Sequence, residues 1–89
     1  MGQIAASYDL MPGSTEVDLQ KVIDTLPSII PAGVKLLETS IKPIAFGLEK
    51  VVAGFLINDD EDDIGSKLEE GLRSIDGIEN IECVTSTNL

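Results

Sequence analysis

The sequence predicts an α+β fold with two helices packed on one face of a four-stranded antiparallel sheet, and three observations point to it. The chain opens with strand-like alternation, apolar residues recur twice at helical spacing, and β-prone segments flank both helical stretches. Its 89 residues provide for one compact core with a radius of gyration of about 12 Å, so a single domain over residues 1–89 is expected. Trp is absent and Phe occurs only at Phe46 and Phe55, so aliphatic side chains must build most of that core.

From Gln3 to Met11, the residues Ile4, Ala6, Tyr8 and Leu10 alternate, as in a strand with one side facing a core. Pro12 and Gly13 stop it, and Ser14 and Thr15 precede an acid-rich helix start at Glu16-Val17-Asp18, where negative charge and a capping hydroxyl favour helix opening. Leu19, Val22, Ile23 and Leu26 share one helical face. Pro27 removes a backbone donor, so the helix is expected to end there, to kink, or to resume through Ser28 to Ile30 before the Pro31-Ala32-Gly33 turn.

Val34 to Ile41 is the second strand, with Leu37 and Thr39 on one face and Leu36 and Glu38 on the other. Lys42 to Gly47 interrupts the periodicity, and Leu48 to Ile57 forms a third strand, so the two can pair as a hairpin. Five acids, Asp59 to Asp63, precede a second amphipathic helix marked by Ile64, Leu68, Leu72 and Ile75, and they lie where they can relieve unpaired backbone donors. Gly65 and Gly71 weaken that helix by about 1 kcal/mol each relative to Ala. Asp76-Gly77 ends it, and Ile78 to Thr87 completes a β-α-β-β-α-β order that fits a ferredoxin-like sandwich. The sheet face without helices must then tolerate solvent or be covered by another protein.

Sixteen acidic residues against six basic ones give a formal charge of -10, which repels nucleic-acid phosphates and anionic lipids and favours a basic protein surface. No direct nucleic-acid or membrane binding is expected, and no stretch approaches the roughly 20 apolar residues needed to cross a bilayer. Cys83 is alone, which excludes an intrachain disulfide; without a signal-peptide pattern the chain reads as cytoplasmic.

Little in the sequence supports catalysis. His is absent, which removes imidazole acid–base chemistry and histidine metal cages. The strand-like setting of Cys83 predicts a buried structural thiol. Two calcium-loop frames fail: a count from Asp60 puts Gly71 at the twelfth place where Glu is needed, and one from Asn58 puts Asp63 at the sixth place where Gly is needed. With no Gly-Lys-Ser/Thr cradle either, no cofactor is expected, and any effect on nucleotide chemistry must pass through another protein.

Pro43-Ile44-Ala45-Phe46-Gly47-Leu48 stands out. Pro43 and Gly47 restrict and then redirect the backbone. Composition alone places Phe46 in the core; in a shaped turn it is instead an exposed ring suited to a partner's apolar groove.

This string resembles the archaeal elongation factor 1-beta family, the counterpart of the guanine nucleotide exchange domain of eukaryotic elongation factor 1-beta. The resemblance extends over nearly the whole chain through Leu10-Met11-Pro12, Val17-Asp18-Leu19 and the acidic turn before the second helix. It implies a ferredoxin-like domain that binds the GTP-binding elongation factor 1-alpha and accelerates GDP release, with nucleotide and magnesium held by that partner. The aromatic matching Phe46 would enter an apolar pocket of the GTPase, held by Pro43, Ile44, Ala45 and Gly47. Lys42 and Lys50 flank the turn and either meet acidic groups on the partner or serve solubility. Asn88 stands where eukaryotic relatives carry a lysine near the magnesium site; it can donate a hydrogen bond but supplies no positive charge. It either contacts the partner, ends a strand, or is a disordered terminal residue. The expectation is therefore a non-enzymatic exchange factor, with a ferredoxin-like interaction or regulatory module lacking exchange activity as the alternative.

Overall fold

The computed structural model describes residues 2–58 and 63–89. The capping role expected of Asp59, Asp60, Glu61 and Asp62, and both calcium-loop frames, fall on residues outside that description. The elements are β1 (Gln3–Pro12), α1 (Leu19–Ile29), β2 (Val34–Pro43), β3 (Glu49–Asn58), α2 (Ile64–Arg73) and β4 (Ile78–Asn88). They form a four-stranded sheet in the order β2-β3-β1-β4 with every neighbouring pair antiparallel. Both helices pack on one face, giving the expected ferredoxin-like β-α-β-β-α-β topology.

The core forms where alternating strand residues meet the two helical stripes. Leu10, Val51 and Phe55 from the sheet and Leu26, Leu68 and Leu72 from the helices are fully buried. The Tyr8 and Phe55 rings meet edge to face with centroids 6.0 Å apart, a favoured aromatic geometry. Gly71, unfavourable by helix propensity, lets the helices touch: a Cβ there would lie 2.7 Å from the Ile29 carbonyl oxygen. Among the described residues no helix is long and apolar enough to cross a membrane.

Local features differ from the sequence expectations for identifiable reasons. Helix α1 starts later than expected, because the Asp18 carboxylate, not a hydroxyl, accepts from the Gln20 and Lys21 amides. Pro27 is accommodated in the last turn of α1, exposed to solvent and two residues from the helix end, where few later backbone bonds depend on it. The facing predicted for β2 is wrong. A bulge at Leu37 leaves Leu36 opposite Phe55 and Thr39 opposite Ala53, so these two share the core face while Leu37 is 54% exposed. Asp63 precedes α2 without a side-chain capping bond; its carboxylate lies 3.4 Å from Lys67 instead.

Candidate functional site

The site begins with the way the hairpin between β2 and β3 closes. The Ile44 amide donates to the Leu48 carbonyl at 2.8 Å, and the Leu48 amide donates to the Ala45 carbonyl at 2.9 Å. The central residues of that tight turn are Phe46 and Gly47, both left-handed, with φ of 53° and 82°. Two positive φ values in succession are what a type I′ hairpin turn requires, and Asn-Gly is its usual sequence. Gly47 adopts this geometry at no steric cost. Phe46 does not: a bulky L residue in this region carries roughly 1–2 kcal/mol of strain.

That strained residue is also fully exposed, at 101% of its reference area, which overturns the core placement that composition favours. The ring touches no core because the turn projects beyond the sheet. Ile44, 48% exposed, and Ile41, 40% exposed, add apolar surface to the same hairpin. Pro43, Ile44, Ala45, Phe46 and Gly47 are all solvent-facing, so the structure gathers these five predicted residues into one projecting tip.

The two flanking lysines have different surroundings. Lys42 is exposed and, among the described residues, makes no ion pair. Lys50 is committed internally: its ammonium donates to Asp9 Oδ2 at 2.6 Å, across the β1–β3 pair at the root of the turn. Asp9 is only 7% exposed, so this bond compensates a carboxylate withdrawn from water. Sequence reading missed Asp9 and Ile41. Asp9 is flanked by the core-facing Tyr8 and Leu10, but its partner is 41 positions away, and nothing local signals the pairing.

Asn88 lies elsewhere. It is the last residue of β4, paired with Ile4 near the start of β1, and the next amide, of Leu89, donates to the Gln3 carbonyl at 2.8 Å. It is therefore an ordered strand end, not a disordered terminal residue. The turn instead adjoins the far end of β1, where Leu10 pairs with Val51. Eight strand steps from Ile4 to Pro12 separate the two ends by roughly 27 Å. The molecule, 42 Å in its longest dimension, carries the aromatic tip and Asn88 at opposite ends of one sheet.

Between them, on the helix side, the Tyr8 hydroxyl donates to Glu69 at 2.9 Å. Burial first, and this bond second, push the phenol well above its ordinary pKa, so it stays a proton donor. Cys83 is exposed, contrary to the buried thiol expected, because it sits on the edge strand β4; its sulfur donates to the Thr85 carbonyl at 3.5 Å. Among the described residues, no three His, Cys, Asp or Glu side chains gather in a way that could hold a metal ion.

Residues 5–89 match the family model described as the EF-1 guanine nucleotide exchange domain. The chain is 35% identical over 81 residues to elongation factor 1-beta of Methanocella arvoryzae, covering 91% of this chain and 90% of that protein. It is 34% identical over 85 residues to elongation factor 1-beta of Methanosarcina barkeri, covering 94% of each chain. The same-named protein of Archaeoglobus fulgidus is 33% identical over 82 residues, with 92% of each chain covered.

Proposed function

The chain belongs to the EF-1 guanine nucleotide exchange domain family, and from that premise we propose that it promotes GDP release and GTP reloading on an elongation factor 1-alpha GTPase during translation. One observation carries the reading: Phe46 is both strained and entirely in solvent. A fold gains nothing from such a residue, whereas a preformed aromatic anchor binds a partner groove with little further ordering.

Exchange of this kind forms no covalent bond. The factor lowers the GTPase's affinity for GDP only to the extent that it binds the nucleotide-poor state more tightly than the GDP-bound state. A protein whose contact points lie beyond the two ends of a strand span of roughly 27 Å suits that task, because a stiff sheet engaged at both ends favours one relative placement of two partner surfaces. In this reading Phe46 docks first in an apolar groove, with Pro43, Ile44, Ala45 and Gly47 fixing the ring's direction. Lys42 meets partner acids, Lys50 holds the root of the turn through Asp9, and Asn88 approaches the nucleotide side from the other end. Nucleotide and magnesium belong to the partner, and the encounter takes place in the cytoplasm.

The test is stopped-flow release of a fluorescent GDP from purified archaeal elongation factor 1-alpha. Release should accelerate with increasing concentration of this chain and saturate. Binding without acceleration would replace exchange with the reading of a regulatory or assembly module.

A further inference from the structure

A cavity of about 270 Å³ opens beside the aromatic tip, between the hairpin and the loop leading into α1. Gly47 lines it, so it is continuous with the turn that presents Phe46. Its volume falls below the roughly 300–1,000 Å³ usual for small-molecule sites, and it suits one inserted side chain better than a free ligand. The walls include Ile41 and Val17, and its charged lining residues are Asp18 and Glu49, with no Lys or Arg among them. Both carboxylates are exposed, and neither is in an ion pair among the described residues.

An apolar wall leading to two exposed carboxylates outside any ion pair among the described residues, with only Oδ1 of Asp18 bonded to the α1 amides, matches a side chain with a long aliphatic stem and a cationic head. We propose that this cavity receives a lysine or arginine side chain from the same partner that accepts Phe46, so that each protein inserts one residue into the other. The inference rests on the exchange reading above. It adds a chemical requirement: beside its apolar groove for the ring, the partner carries a basic residue pointing toward this chain. Two insertions side by side fix the rotation of the tip about the ring, which a single anchor leaves free.

The experiment measures calorimetric binding of the full chain to purified archaeal elongation factor 1-alpha at several salt concentrations. The variant Asp18→Asn with Glu49→Gln removes both charges while Asn keeps the helix cap. A control, Glu70→Gln with Glu82→Gln, removes two charges from exposed positions outside the cavity lining. The cavity variant should bind roughly tenfold more weakly at low salt with a flatter salt dependence, and the control by no more than about twofold. Thermal unfolding verifies that both variants fold. Equal weakening by both pairs, with Phe46→Ala still disrupting binding, would overturn the cavity proposal and leave the exchange reading standing. Failure of the unmodified chain to bind the GTPase would remove both.

Discussion

The two ends of the sheet present the proposed contact residues in opposite ways. At the turn end, Phe46 sits in a left-handed conformation that disfavours its side chain, fully exposed, on a hairpin closed by two backbone hydrogen bonds. At the other end, Asn88 closes an ordinary strand, paired with Ile4 and followed by the Leu89 bond to Gln3. One end stores strain to aim a ring; the other places a polar side chain where regular pairing leaves it. Binding energy should therefore concentrate at the turn end. A preorganised aromatic is suited to anchoring, whereas an uncharged amide at a strand end is suited to adjusting what the anchor has brought near.

The largest expected effect breaks the stronger end. Phe46→Ala should slow stimulated GDP release on the order of 30-fold, matching a hot spot of about 2 kcal/mol, while leaving thermal stability nearly unchanged. Phe46→Gly should lose as much exchange yet raise stability by up to about 1 kcal/mol, because it relieves the left-handed strain. A fall in stability for both variants would mean that the ring packs within the fold after all.

The root of that end is tested next. Lys50→Met leaves Asp9 buried without its partner and should lower unfolding free energy by about 1–3 kcal/mol in urea titrations. Unchanged stability would show the pair to be incidental to the turn's support.

At the weaker end, Asn88→Ala should slow release by no more than about threefold, less than 1 kcal/mol. A loss as large as that of Phe46→Ala would erase the asymmetry and make the two ends equal partners.

The smallest effect lies between the ends and should disturb neither. The Tyr8 phenol, ordinarily 10.0, is raised in the folded chain by burial and then by Glu69. Above about pH 10 the unfolded chain loses this proton while the folded chain keeps it. Stability is therefore fully present below pH 10 and declines as pH rises toward the folded value. Tyr8→Phe should flatten that alkaline slope in urea midpoints and leave stimulated release at neutral pH unchanged; a slope that persists would place its origin elsewhere.

Much of this was legible along the chain. Alternation at Ile4, Ala6, Tyr8 and Leu10, and the helical spacing of Ile64, Leu68, Leu72 and Ile75, placed side chains that are buried or packed against the core, because burial on one face imposes a period on sequence. The Pro43 to Leu48 string marked the tip, since proline and glycine restrict backbone geometry by themselves. By contrast, the extra residue at Leu37 put Leu37 and Thr39 on opposite faces of β2, where simple alternation had put them on one. A bulge is defined by the partner strand, and Leu37 carries no local mark of it.

What the sequence alone determined, then, was the order of elements, the aliphatic core and the position of the turn, all of which depend on neighbours a few residues apart. That Phe46 faces solvent, that Lys50 belongs to Asp9 and that Cys83 lies exposed on an edge follows from how the strands and helices assemble. So does the position of Asn88 at the far end from the ring. Those outcomes depend on which strands become neighbours and where helix cover stops, and such contacts join residues dozens of positions apart that carry no shared local signal.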